Sequence, residues 1–427
     1  MTSMTETTHG LWGATAIAAP KTAALLEDQE TDVAVIGAGF TGLVAALVLR
    51  SEGRDVAVLD SGEIGQGCSG RNGGQVNPGW KMDLNEIASH YGRNDAANAL
   101  TLAKSAVPDL SKLIQGEALD CEFVENGYVQ GATGHRGLAS INQRAAQWVA
   151  HGIEAEILSR QAGADLLGTE AYDGVLLHSQ GGNLHPLSYA RALARVGLAR
   201  GAAVYTQTRA LDISAAPSGG FAIQTASAVL RARAVIIATN GYTGNLWPGL
   251  AQTVVPVASS LSSTAPLPAE IAASILPGRH SVSETRRVQV YYRMTQEGRF
   301  VIGGRGATFG PAEQGSTAAV RRTAVQYFPA LQSATWDHDW AGTVAMTWDH
   351  APKLMRLADG VYAGLGFNGR GVAMSTAMGN QLARTVLGQP TLLPVTGLYQ
   401  TPFHRFRKLG IFSTILQGRI LDRLDGR

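Results

Sequence analysis

Three glycines in G-x-G-x-x-G spacing, Gly37, Gly39 and Gly42, stand between an apolar strand pattern at 32–37 and a helical pattern at 41–52. The spacing alone is weak, but at a strand-to-helix junction each glycine has a steric task. Gly37 permits the tight turn, Gly39 lets the backbone approach a pyrophosphate, and Gly42 lets the helix pack closely on the sheet. The amides of the first helical turn, at Phe40 and Thr41, then face the phosphates, where the helix dipole favours negative charge. A second strand at 55–60 ends in Asp60 and Ser61, with Asp60 18 residues after Gly42. That is near the roughly 20-residue offset of an acid that binds ribose hydroxyls. The bland alternative has the glycines ending a strand and Asp60 capping a loop, and leaves the joint match of strand, spacing and acid to chance.

A chain of 427 residues exceeds one compact core and divides into two or three packed units. Helical patterns cover 94–115 and 136–150, a strand 122–132, and Pro186 opens a further helix. Residues 202–214 and 220–225 read as a hairpin across Pro217-Ser218-Gly219, leading into a buried strand at 234–239. Segments 253–264 and 286–306 alternate as antiparallel strands do. The expected fold is α/β, a Rossmann-like nucleotide-binding domain interleaved with an antiparallel-sheet α+β substrate domain. The first would take 29–93, 150–250 and 341–427, and the second 94–149 and 251–340. Residues 1–28 read as an extension laid over the surface.

Composition narrows the partners. Lys and Arg number 35 against 33 acidic residues, a net charge of +2 that gives no reason to expect nucleic acid. No apolar run approaches the roughly 20 residues of a membrane span, and no secretory signal is visible. Two cysteines, Cys68 and Cys121, form no CxxC pair or disulfide framework, so a reducing cytoplasm is expected. No metal-ligand spacing occurs.

The fingerprint serves nicotinamide and flavin dinucleotides equally. The side-chain-poor stretch 65–75, with Gly67, Ser69, Arg71, Asn72, Gly73, Gly74 and Gln75, lets backbone pass close to a large planar ligand, although a glycine-rich solvent loop has the same composition. Near the C-terminus, Gly364-Leu365-Gly366-Phe367-Asn368-Gly369-Arg370-Gly371 precedes a helical pattern from Val372 to Leu387. Bare amides at a helix start suit the N1/C2 edge of a flavin, where reduction places negative charge. A nicotinamide gathers no such charge.

With these segments, and with 181–186, Val235 to Tyr242 and Tyr291-Tyr292-Arg293, the sequence resembles the D-amino-acid-oxidase-like superfamily. Within it the chain is most similar to gamma-glutamylputrescine oxidase-like amine oxidoreductases, over about residues 30–390. The resemblance implies that Gly37, Gly39, Gly42, Asp60, Ser69, Arg71, Asn72, Gly73 and Gly74 touch FAD. It further implies that Ala210 meets the adenine side, that Ala238, Thr239 and Gly241 line the pyrophosphate region, and that Gly366, Asn368, Gly369, Arg370 and Gly371 face the isoalloxazine. The oxidases it resembles carry a histidine at the position of Arg370. Attachment of flavin through a C-terminal cysteine, known in some members, is excluded because none follows Cys121, so FAD is expected to be non-covalent. Cys68 reads as a small buried side chain.

The implied reaction takes a hydride from the carbon bearing nitrogen in a primary or secondary amine, after which the imine hydrolyses to a carbonyl compound. Gamma-glutamylated polyamines, N-substituted amino acids and aminophosphonates are the substrate candidates. Dioxygen is the expected electron acceptor. The alternatives are a dehydrogenase serving a quinone or carrier protein, and a nucleotide-binding module without catalysis. Arg370, Tyr291 and Arg293 are the catalytic candidates, Arg293 as carboxylate partner and a tyrosine stacked on the amine. Strand alternation puts Tyr291 and Arg293 on one face and Tyr292 on the other, and ordinary cross-strand packing explains the pair as well. His185 reads as a turn or helix cap, His350 and Lys353 as surface-turn residues, and Glu284, Arg286 and Arg287 as a solvated cluster. The basic amphipathic tail 403–427 is expected to dock on its own body or a partner subunit rather than on a membrane.

Overall fold

The computed structural model describes residues 9–217, 219–307 and 316–425. Its central strand, Gln29–Ile36, runs parallel to Val56–Leu59 on one side and Val229–Ile237 on the other. Both faces of its inner half are buried, which is why Val33 to Ile36 are apolar without alternation. The sheet continues through Ala203–Tyr205 at one edge, and through Val361–Leu365 and Lys353–Ala358 at the other. Strands Asp212–Ala215 and Phe221–Gln224 form the expected hairpin. Ala203–Tyr205, which the sequence reading merged into it, pairs instead with Val56–Leu59 because its apolar side chains fit the parallel edge. Ser218 lies outside the described residues.

A second sheet of eight strands runs in the order Trp336–Met346, Val255–Thr264, Phe300–Arg305, Tyr291–Met294, Ser281–Glu284, Tyr128–Ala132, Gly174–His178 and Ala155–Ser159. All its pairs are antiparallel except Ser281–Glu284 beside Tyr128–Ala132. Sheet membership crosses the sequence boundaries. Ala155–Ser159 and Gly174–His178, expected in the nucleotide-binding part, pair in the second sheet. The helix Leu84–Gly116, expected in the substrate part beyond residue 93, packs its Leu102, Ala106 and Leu110 into the core of the first. Short apolar strands and amphipathic helices carry no local mark of the sheet they join, so this assignment is tertiary.

The N-terminal segment is more than a surface layer. Helix Leu11–Thr15 inserts Leu11 and Trp12 into a cluster with Leu187, Leu261, Val301 and Trp340. Trp12 is 1% exposed, packs edge-on against His185 and Trp340, and donates from Nε1 to the Asn72 carbonyl at 2.8 Å. Trp340 donates in the same way to the Arg71 carbonyl at 2.9 Å. His185 caps the helix Pro186–Ala199, its Nδ1 accepting from Ser188 N. Burial pushes its pKa down to about 3, so the ring stays neutral.

Trp12→Ala is expected to cost about 3–5 kcal/mol, the range for emptying a buried indole site. A thermal melt checks this; an unchanged midpoint would show that segment 9–16 contributes no core.

Candidate active site

The two sheets enclose a cavity of about 1470 Å³ that runs from the fingerprint turn to the loop before the last core helix. Its first end is built by sterics. Gly37 has φ +115°, outside the range of ordinary side chains, and a Cβ at Gly42 would overlap the Gly37 carbonyl oxygen. The helix Phe40–Ser51 therefore starts directly against the strand, with Gly39, Phe40 and Thr41 on the cavity wall. Ser69 reaches across from the glycine-rich loop, its Oγ accepting from Phe40 N at 3.0 Å.

Asp60 ends the second strand and does two jobs. Its Oδ2 accepts from Ala38 N at 2.7 Å and its Oδ1 from Gly62 N at 2.8 Å, so the carboxylate ties the strand end to the fingerprint turn. It also lines the cavity, where each oxygen has a further lone pair to offer. Loop capping and ribose binding, opposed in the sequence reading, are compatible in one carboxylate. Burial holds its pKa above the usual value despite the two amide donors.

The glycine-rich loop closes on itself: Asn72 donates to the Cys68 and Ser69 carbonyls and accepts from Gly74 N. Burial pushes the Cys68 thiol up to about 11, which leaves it protonated and unreactive. At the far end Asn368 sits at φ +53° and is fully engaged, accepting from Thr347 N and donating to the Gly366 carbonyl. It shapes the turn that delivers Gly369, Arg370 and the first amides of the helix Gly371–Val386 to the cavity, with Val372 also on the wall. Two helix N-termini thus open into one chamber.

Most expected cofactor residues line this chamber, Ser61, Gly67, Gln75, Ala210, Ala238 and Thr239 among them. Four do not, because they serve packing: Gly42 and Gly74 abut the Gly37 and Leu184 carbonyl oxygens, Gly241 abuts Thr343, and Gly366 abuts Thr347. Tyr291 lines the cavity, its hydroxyl within 2.9 Å of Ser259 Oγ and its ring on Gly73. Tyr292 points the other way, into a core with Phe300 and Phe328. Alternation places Arg293 on the Tyr291 side as expected, but it does not reach the cavity. It is 3% exposed, stacks over Trp12 and donates to Asn183 Oδ1 at 2.7 Å behind Gly74. A shared strand face does not ensure a shared pocket, since the backbone at Gly74 intervenes.

The solvated cluster also needs correction. Glu284 is 1% exposed, accepts from Tyr327 OH at 2.7 Å and Val290 N at 2.9 Å, and has its pKa raised by burial. Lys353 is buried against Asp349 and the Tyr399 ring, whereas His350 is exposed. The sequence reading missed Tyr242, which covers Gly67 and accepts from Thr343 N, and the cations Lys81, Arg144 and Arg305 on the cavity wall. An aromatic just past a strand end marks Tyr242; nothing local marks the cations. Among the described residues no group of acids, histidines or cysteines is placed to hold a metal ion, and no helix is long and apolar enough to cross a membrane.

These residues fit FAD. The glycine turn and Asp60 suit a pyrophosphate and ribose, and the two helix starts suit a phosphate at one end and an electron-rich ring edge at the other. Asp60→Ala is expected to weaken FAD binding by about 1–3 kcal/mol, roughly 5- to 150-fold. Fluorimetric titration of apoprotein checks this; an unchanged dissociation constant would assign Asp60 to the loop alone.

The family model of FAD dependent oxidoreductases, DAO, matches residues 32–385. The chain is 31% identical over 403 residues to the probable oxidoreductase OrdL of Rhizobium meliloti, covering 92% of this chain and 93% of that protein. It is 29% identical over 388 residues to the gamma-glutamylputrescine oxidoreductase of Escherichia coli, covering 90% of each. The crystal structure of glycine oxidase from Geobacillus kaustophilus has the same fold, with a TM-score of 0.72 at 22% identity, covering 86% of this chain and 97% of that one. By the span of the family match and the identity to these relatives, the chain belongs to the DAO family of FAD dependent oxidoreductases.

Proposed function

We propose that this enzyme oxidises a primary or secondary amine that also carries an anionic group, of the gamma-glutamylated polyamine, N-substituted amino acid or aminophosphonate kind. Relatives named for gamma-glutamylputrescine and glycine support the amine. The observation that carries the anionic group is the cluster of Lys81, Arg144, Arg305 and Arg370 on the cavity wall. The division of labour follows the sheets, the first holding the cofactor and the second supplying Tyr128, Tyr291 and Arg305 to the substrate.

FAD bound in the chamber supplies a two-electron acceptor, and the imine left by hydride loss is hydrolysed to a carbonyl compound. Arg370 stands at the junction of the two regions. Its guanidinium donates to the Pro78 carbonyl at 3.1 Å, interacts with Tyr128 and lines the cavity, where a carboxylate or phosphonate can meet it. The same positive field disfavours a protonated amine nearby, which keeps the nitrogen lone pair free without a dedicated base. Arg144 is held against Asp83 and Gln130, so its charge is partly spent.

Lys81 is open to the cavity, yet protein surrounds it. Burial, then the charges of Arg370 and Arg144, bring its pKa down to about 8. Dioxygen is the proposed acceptor, in keeping with relatives named as oxidases, and the two free thiols support a cytoplasmic setting.

Anaerobic mixing of the flavoprotein with a panel of anionic and neutral amines, followed by admission of air, tests the reading. Flavin bleaching by anionic amines and peroxide formation on reoxidation are expected; bleaching by neutral amines alone would overturn it. Arg370→Ala should slow bleaching by anionic amines roughly 10- to 150-fold, the loss of about 1.5–3 kcal/mol for a hydrogen bond to a charged group. FAD occupancy and the rate with neutral amines should hardly change. Because Lys81 loses its positive charge as pH rises through about 8, KM for an anionic amine should increase above that pH. Lys81→Met should abolish this step, and a KM–pH profile identical in wild type and variant would remove Lys81 from substrate binding.

A further inference from the structure

The C-terminal helix Arg407–Asp425 presents two unlike faces. Its inner face is docked. Asp422 accepts from the backbone amides of Arg287 and Val288 and from the Arg287 guanidinium, and Asp425 pairs with the same guanidinium at 2.7 Å. Gly418 lies against Arg287 and Val288, and Ile415 is buried, while Thr414, Gln417 and Leu421 line the mouth of the cavity.

Its outer face is largely exposed among the described residues. Leu409, Leu416, Ile420 and Leu424 recur at spacings of seven or four residues, and each is about half exposed or more, Leu409 reaching 64%. Phe403 and Phe406 extend the stripe ahead of the helix. Along one edge of it stand Arg405, Lys408, Arg419 and Arg423, all exposed. Both described acids of the helix are turned inward to Arg287, so the outward charge is wholly positive.

We propose that this face docks the enzyme on an anionic lipid surface, with the helix in the plane of the interface and its apolar stripe in the headgroup–acyl boundary. Charge selects this occupant. An antiparallel two-fold pairing of identical stripes would set the cationic edges of two copies close together, whereas an anionic headgroup layer complements them. Geometry agrees: the inner half of the helix is occupied by its own body, so a flat surface reaches what is left and a groove that wraps a whole helix does not. The tail was expected on its own body or a partner subunit: its own body takes the inner face, and the lipid surface, which the sequence reading set aside, is assigned the outer one. Since the same helix forms the mouth of the cavity, the chamber would open beside the membrane. The inference does not depend on which amine is oxidised.

Full-length flavoprotein is sedimented with vesicles of phosphatidylcholine alone or with about 30 mol% phosphatidylglycerol added. The comparison proteins are the fourfold variant Leu409→Ser, Leu416→Ser, Ile420→Ser, Leu424→Ser and the threefold variant Lys408→Glu, Arg419→Glu, Arg423→Glu. Every substituted side chain is exposed, so flavin absorbance and melting midpoint should match wild type and serve as the folding control. Wild type should partition onto the anionic vesicles at least about tenfold more than either variant, and less as salt is raised. Equal sedimentation of all three proteins would overturn the proposal. So would a wild type that ignores vesicles and forms a dimer, by sedimentation velocity, that the serine variant loses; that outcome would assign the stripe to a second copy of this chain.

Discussion

The contact on which the molecule depends is the one between a strand end and the first turn of the helix that follows it. Gly42 packs against the Gly37 carbonyl with no space for a methyl group, and Gly37 turns the chain at a φ that other residues resist. That closeness brings Gly39, Phe40 and Thr41 to the chamber wall, with the Phe40 amide held by Ser69 Oγ. Asp60 then locks the neighbouring strand to the same turn through Ala38 N. The glycine turn and the Asp60 carboxylate thus share one corner, held by close backbone packing and by the amides of Ala38 and Gly62.

The opposite wall is held from far away in the chain. The backbone carbonyls of Arg71 and Asn72 are each bound by an indole N–H, one from Trp340 in the second sheet and one from Trp12 near the N-terminus. Buried tryptophans join apolar packing to one directional donor, and here both donors converge on adjacent peptide groups of the glycine-rich loop. The loop has few side chains of its own to give it order, so its shape is borrowed from elements on either side. The buried Arg293 belongs to the same arrangement, stacked on Trp12. Burial lowers its pKa to about 10, still well above neutrality, so it carries its charge into the core.

The electrostatics of the chamber are uneven. The cations Lys81, Arg305 and Arg370 line the chamber wall, while Glu284, also on the wall, is tied into a network with Tyr172 and Tyr327. A low-dielectric site with one sign of charge discriminates among substrates by their own charge before any shape contact is made. The mouth carries a different signature, an amphipathic helix pinned by Asp422 and Asp425 to Arg287.

The sequence by itself determined the strand–turn–helix corner, because the glycine spacing, the flanking strand and helix and the acid at Asp60 are local and their steric demands are nearly unique. It also determined the helix cap at His185 and the outward-inward alternation of Tyr291 and Tyr292, since both follow from backbone periodicity. The family resemblance, carried by several segments in order, supplied the flavin. Tertiary structure alone decided which side chains meet. Arg293 was drawn behind Gly74 and away from the chamber that Tyr291 lines, and Glu284, on the wall, was tied into a tyrosine network. Lys81, Arg144 and Arg305 were brought to one wall from segments with no common pattern. Local propensity acts over a few residues, whereas a pocket is assembled from strands and loops hundreds of residues apart, so its composition emerges only when the sheets are packed.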